Sequence, residues 1–251
     1  MTAPDFPLPA PPFEGDSRVV PAGRAIDWLR EGWALFIAQP GVWLAMGALF
    51  FVIVIGVMIF PVVGELAAHW FVPVLSAGLM AAARRIEQGE EAHVADMFSA
   101  FSPKHAPVLR VGVLFMVGWL AIIAIGILIG WAATFGGSVQ AAAGGGLLGT
   151  GIAVAGVLFA IVVVLVSSVP LVMAVWYAPA LAYFHDMSAR AAMRASFEAV
   201  ARNGVAFLVY GLFILLILFF GALSLGLGLV VAAPVIACSI YVSYRDVFLG
   251  T

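Results

Sequence analysis

The stretch that decides the fold is IAVAGVLFAIVVVLVSSVPLVMAVWYAPALAYF, residues 152–184, which carries no charged side chain. As one straight helix it would reach about 50 Å, at ~1.5 Å per residue, against a hydrocarbon layer of ~30 Å. It holds Ser167-Ser168-Val169-Pro170 and, further on, Pro179, two places where a helix kinks or breaks. Counted as one span it gives a six-span protein, and counted as two it gives seven. The local sequence leaves open whether it is one kinked helix or a broken one.

The basic residues settle the count. The other apolar runs are Val42–Val63, Leu66–Ala83, Pro107–Trp131, Val205–Phe220 and Leu223–Tyr244. With six spans, Arg18, Arg24 and Arg30 precede the first. Arg84, Arg85, Lys104 and Arg110 fall between the second and third, Arg190, Arg194 and Arg202 between the fourth and fifth, and Arg245 after the sixth. All 11 basic residues then lie on one side, as the positive-inside rule requires of the cytoplasmic face. A seventh span would send Arg190, Arg194, Arg202 and Arg245 to the other side. The expectation is six spans with both termini cytoplasmic, in a bacterial inner membrane.

Composition agrees. Of 251 residues, 65% are hydrophobic and 10% charged, with a mean hydropathy of +1.16. A soluble domain averages ~25% charged residues, and its folded surface must meet water. Eleven Lys+Arg against 13 Asp+Glu provide no basic surface for nucleic acid. The lone Cys238 makes no internal bridge. The first 22 residues, with prolines 4, 7, 9, 11 and 12, lack the basic and apolar regions of a signal peptide and read as a disordered cytoplasmic tail. Residues 23–251 form one membrane domain. Gly136–Gly151 reads as a flexible break rather than a strong helix.

Three segments between the spans look amphipathic. Gly23–Gln39 places Ile26, Leu29, Trp33 and Phe36 on one face, Ala92–Ser102 does so with Val94, Met97, Phe98 and Phe101, and Ser188–Arg202 with Ala189, Met193, Phe197 and Val200. The last carries Arg190, Arg194, Glu198 and Arg202 at steps of four, with Ser188 as its N-cap and Asn203-Gly204 as its stop. A proline element recurs in the second span of each pair, around Pro73, Pro179 and Pro234. The predicted fold is therefore all-α, a polytopic helical bundle of three repeats. Each repeat is an amphipathic surface helix plus a two-span hairpin, with units of about 23–85, 92–186 and 188–248.

The run Ala192-Met193-Arg194-Ala195-Ser196-Phe197 through Arg202-Asn203-Gly204, with Pro179-Ala180-Leu181 before it and Ser243-Tyr244-Arg245-Asp246-Val247-Phe248 after, resembles an uncharacterised proteobacterial six-span membrane protein family. That family is similar to the membrane-anchor domain of glycerophosphoryl diester phosphodiesterases. The resemblance implies a bacterial inner membrane and brings no catalytic residues.

Chemistry-bearing residues are few. Arg110 begins a span and is expected to snorkel. Glu65 and His69, spaced i, i+4, are two ligands and too few for a metal site. His185-Asp186 closes the fourth span, with Asp186 expected to cap the next helix, and His93 and His105 are expected in solvent. Gly126 and Gly130 form a small-xxx-small pair expected to pack within the chain. Ser167, Ser168, Ser239 and Tyr210 are expected to satisfy backbone groups freed near the prolines. No catalytic, cofactor-binding or metal-binding residue is assigned. The expected function is a non-enzymatic scaffold or accessory protein with membrane lipids and a protein as partners. The alternative is a small transporter or channel for an apolar or lipid-like solute.

Overall fold

The computed structural model describes Phe13 and residues 15–250. Among these residues all regular structure is helical: α1 (Arg24–Ala38), α2 (Pro40–Met58), α3 (Val63–Glu87), a 3-10 helix (Val94–Phe101), α4 (Ala106–Ala142), α5 (Gly146–Trp176), α6 (Ala178–Phe184), α7 (Ala189–Arg202), α8 (Gly204–Leu223), α9 (Leu227–Tyr244) and a final π-helical turn (Arg245–Leu249). Six helical segments are long and apolar enough to cross a membrane, with α5 and α6 together making the fourth. The expected spans are all present. Their ends move by several residues, because hydropathy marks where side chains turn polar and the backbone helix runs past that point.

The long charge-free stretch is broken, and the break is at Tyr177. Pro179, at the start of α6, cannot donate to the helix behind it. The interrupted rung is bridged from α7. The Ser196 hydroxyl accepts from Tyr177 N–H at 2.9 Å and donates to the Met173 carbonyl at 2.7 Å. These are the two groups an unbroken helix would have paired directly.

Gly136–Gly151 differs from the flexible break expected of it. Helix α4 continues to Ala142, a turn holds Gly144 at φ 93°, and α5 begins at Gly146. Two glycines of the stretch, Gly137 and Gly149, serve helix contact, while Gly136, Gly146 and Gly151 meet nothing. A Cβ built at Gly137 would collide with the Gly149 carbonyl oxygen, one at Gly156 with Ala133, and one at Gly126 with Val164. The seam is the close backbone approach that small residues permit between membrane helices, and it uses Gly126 within the chain. The hairpin it makes is long. At ~1.5 Å per residue, the 37 residues of α4 span about 55 Å, well over the ~30 Å of hydrocarbon.

The three amphipathic segments are all helical, and each turns part of its expected apolar face into the protein and part of it outward. In α1 the buried residues are Ala25, Trp28, Gly32 and Phe36, whereas Ile26 and Trp33 are each 47% exposed. Gly32 lies against the Ser239 backbone of α9. In α7 the buried set is mostly alanine, with Ser196 and Val200, and Phe197 is exposed. In the 3-10 helix Met97 and Ala100 are buried and Phe98 is exposed. Trp28, Phe36 and Met97 are buried together with the small residues, while Ile26, Trp33, Phe98 and Phe197 face out. In water this would be unfavourable; against hydrocarbon it costs little, and close backbone packing decides the orientation.

The centre is filled by the second helix of each pair. Pro73, Pro179 and Pro234 are all buried. The buried core includes Leu75 of α3, Tyr177 at the α5–α6 break, Tyr210 of α8 and Tyr241 and Tyr244 of α9, with Trp28 edge-on to Tyr210 at 5.4 Å and Phe184 stacked on Tyr244 at 5.7 Å. Each such ring pair contributes about 0.5–1.5 kcal/mol beyond burial. The helix starts of α2, α4 and α8, the ends of α3, α6 and α9, and α1 and α7 gather at one end of the bundle, which carries almost every charge.

Candidate functional site

Asp246 organises that charged end. Its side chain is fully buried at the start of the π-helical turn. A buried carboxylate is stable only when paired and hydrogen-bonded, and three groups answer it. Arg24 Nε donates at 2.7 Å, Trp28 Nε1 donates at 2.7 Å, and the Arg18 guanidinium forms a close ion pair. Arg24 and Trp28 lie one turn apart on α1, so the helix presents both to the same carboxylate. Arg18 is held twice more, its Nε donating to the Asp246 carbonyl at 2.6 Å and its backbone N–H to Val247 O at 2.9 Å.

The segment preceding α1 is strapped from its other side as well. Asn203, buried between α7 and α8, accepts from Val20 N–H at 2.8 Å and donates to the carbonyl of Arg18 at 3.0 Å and that of Ala199 at 2.9 Å. The tail expected to be disordered over 1–22 lies outside the described residues through Pro12 and at Glu14. Residues 15–22 differ from that expectation: they are clasped between Asn203 and Asp246, and Val20 is buried. A second charged knot lies alongside. Arg245 pairs with Glu31 of α1 at 2.9 Å and with Glu87 of α3, and the Tyr241 hydroxyl donates to Glu87. A polar clip completes the set. The Gln39 side chain, at the α1–α2 joint, donates to Glu90 O and accepts from Ala92 N–H, both at 3.0 Å.

The residues singled out in the sequence fall as follows. His69 Nδ1 bonds the backbone carbonyl of Glu65 at 2.7 Å, not its carboxylate, and stacks on Trp119 at 4.8 Å. Among the described residues no cluster of three His, Cys, Asp or Glu is arranged to hold a metal. Arg110 is exposed at the start of α4. His93 begins the 3-10 helix, its N–H bonded to Asp96 at 2.8 Å. Ser188 caps α7 through Ala191 N–H, and Arg194 pairs with Glu198 at 2.8 Å. Asp186 does not cap α7; it takes a left-handed turn at φ 51° and lines a cleft with His105. His185 shares a hydrogen bond with the Tyr244 hydroxyl and stacks on Phe13 at 3.9 Å. Burial, and secondarily the charge of Arg84, holds its pKa below the ordinary imidazole value.

The serines near the prolines bond different carbonyls from those expected. Ser168 donates to Leu165 O, and Ser239 donates to Ile236 O while pairing with Tyr210. The carbonyl that Pro234 deprives of a helical donor belongs to Val230, and Gly47 of α2 packs against it.

Asn203 ends α7 as the sequence predicts, but its clasp on Arg18 and Val20 and the role of Asp246 were not anticipated. Asp246 lies just beyond a span and 222 residues from Arg24, so no local spacing announces the pairing. Compared with known proteins, the chain matches no family model, no curated protein and no solved structure.

Proposed function

We propose that this multi-pass membrane protein is a non-enzymatic scaffold or accessory protein of a bacterial inner membrane, working from a cytoplasmic face to which both termini belong. The observation that carries this reading is where the ionisable side chains are spent. At the charged end they close on one another, Asp246 on Arg18 and Arg24, and Arg245 on Glu31 and Glu87. They tie the segment before α1, α1 itself, α3 and the turn after α9 into one rigid platform. The middle stretches of the spans hold no titratable pair on which a proton or ion relay is built.

A transporter for an apolar solute is the second reading, drawn from the three proline-bearing helices. Buried side chains pack between these helices, the Tyr177 hydroxyl on Ser243 and the Phe184 ring on Tyr241, which counts against a central path. Membrane lipids are the partners of the outward-facing apolar surface, and a protein partner is proposed at the platform. The three-unit repeat is part of the same proposal. The recurrent placing of Pro73, Pro179 and Pro234 in the interior supports it.

Affinity purification of the tagged full chain from gently solubilised membranes tests the proposal. A protein recovered in fixed stoichiometry, and lost when the platform is broken by Asp246→Ala, is the expected result. Solute flux catalysed by the purified chain alone in liposomes would overturn it.

A further inference from the structure

Beside the platform lies a cleft of about 460 Å³ between the end of α3, the 3-10 helix, the start of α4 and the end of α6. Three cations line it, and they are not equivalent. Arg85 is answered by Glu90 at 3.4 Å and Asp96 at 3.5 Å. Arg84 and Lys104 form no ion pair among the described residues. Arg84 lies instead over the Phe184 ring, 5.1 Å from its centroid, which fixes the guanidinium without neutralising it. His105 stacks on Tyr183 at 4.0 Å, and its Nδ1 is buried with no hydrogen-bond partner. A buried polar atom of this kind is met by a water, an ion or a ligand. The Tyr183 ring is itself held, its hydroxyl donating to Ser99 at 3.0 Å. One unpaired acid, Asp186, faces the same space.

We propose that this cleft binds a phosphate-bearing anion through Arg84 and Lys104. Guanidinium and ammonium groups are the two side chains suited to phosphate oxygens, by forked and by point-charge contact. The cleft lies where apolar segments of spanning length end, which is the depth of lipid phosphates. The ligand is therefore a lipid headgroup or a free phosphate, which share this chemistry. The proposal is independent of a protein partner, because nothing in the cleft belongs to the Asp246 knot.

The test uses the full chain in a neutral maltoside detergent. Binding of inorganic phosphate and of dihexanoyl phosphatidylglycerol is titrated at matched ionic strength, with dihexanoylglycerol as the uncharged control. Saturable binding of at least one phosphate probe is expected, and none of the control. Phosphatidylglycerol alone binding assigns the site to a headgroup, and both binding assigns it to phosphate as such. Arg84→Gln with Lys104→Gln weakens the Kd roughly tenfold or more, while Arg30→Gln, on the exposed side of α1, leaves it unchanged. Asp186→Asn removes the opposing charge, keeps a residue tolerant of the left-handed turn, and tightens binding several-fold. Should the double variant fail to fold by gel filtration and circular dichroism, Asp186→Asn alone decides. No saturable binding, or a Kd indifferent to these substitutions, overturns the proposal.

Discussion

With Asp246 replaced by alanine, Arg18, Arg24 and Trp28 lose the acceptor they share, and two guanidiniums are left facing each other. Arg24 keeps Asp27 at 3.3 Å and Glu31 at 3.8 Å, and Arg18 is half exposed, so the cost falls below the about 3–5 kcal/mol of an uncompensated buried charge. Asp246→Ala should still lower the thermal unfolding midpoint of the detergent-solubilised protein. Trp28→Phe, which removes one hydrogen bond to a charged group, should cost about 1.5–3 kcal/mol. His185 predicts a pH effect. Its folded pKa lies below the ordinary 6.5, so between the two values the unfolded chain takes a proton that the folded chain refuses. The stability it contributes is complete above about pH 6.5 and is lost as the pH falls through the lower, folded value. Melting curves from pH 7 to about pH 5 should show the decline, and His185→Gln should flatten it. None of these partnerships was legible in the sequence. Charge segregation placed Arg18, Arg24 and Arg245 on the right side of the bundle, but a pairing across 222 residues leaves no local pattern.

The clearest element-scale test sets two adjacent glycines against each other. Gly136 opens onto free space and Gly137 meets the backbone of α5. Gly136→Ala should be neutral or stabilise by up to about 1 kcal/mol through helix propensity. Gly137→Ala should destabilise by about 1–3 kcal/mol through overpacking. Protease sensitivity of the turn near Gly144 measures both. Ser196 offers another test: Ser196→Ala strands Tyr177 N–H and Met173 O, each worth about 1–3 kcal/mol when left unsatisfied, and should lower the melting midpoint where Ser188→Ala costs only about 1 kcal/mol. Span number and helix class were legible because apolar length and charge position are properties of composition. The packing faces of α1 and α7 were legible only in part: Phe36, Ala189 and Val200 of the expected apolar faces are buried, whereas Ile26, Trp33 and Phe197 face out. A helical wheel ranks residues by dislike of water, and these three stay outside at little cost because their surroundings dislike water too. The glycine-rich stretch was misread for the same reason: glycine weakens a helix in water and tightens a helix pair in lipid.

For the whole molecule the prediction is topological. With Cys238 replaced by alanine, cysteines introduced at Gln88 and Arg202 should react with an impermeant thiol reagent from one side of sealed membranes, and those at Gly144 and Leu225 from the other. Labelling of all four from one side would remove the six-span arrangement. The Asp246 knot also constrains the order in which the protein is made. Arg24 leaves the ribosome 222 residues before the carboxylate it needs, an interval of about 10–45 s at ~5–20 residues per second. Throughout that interval the first five spans are inserted with their charged end unfastened and the cations of the leading segment accessible to anything in the surrounding medium. The last hairpin is therefore the closure that completes the molecule, and a nascent chain stalled before Asp246 is held in the membrane with its clasp still open.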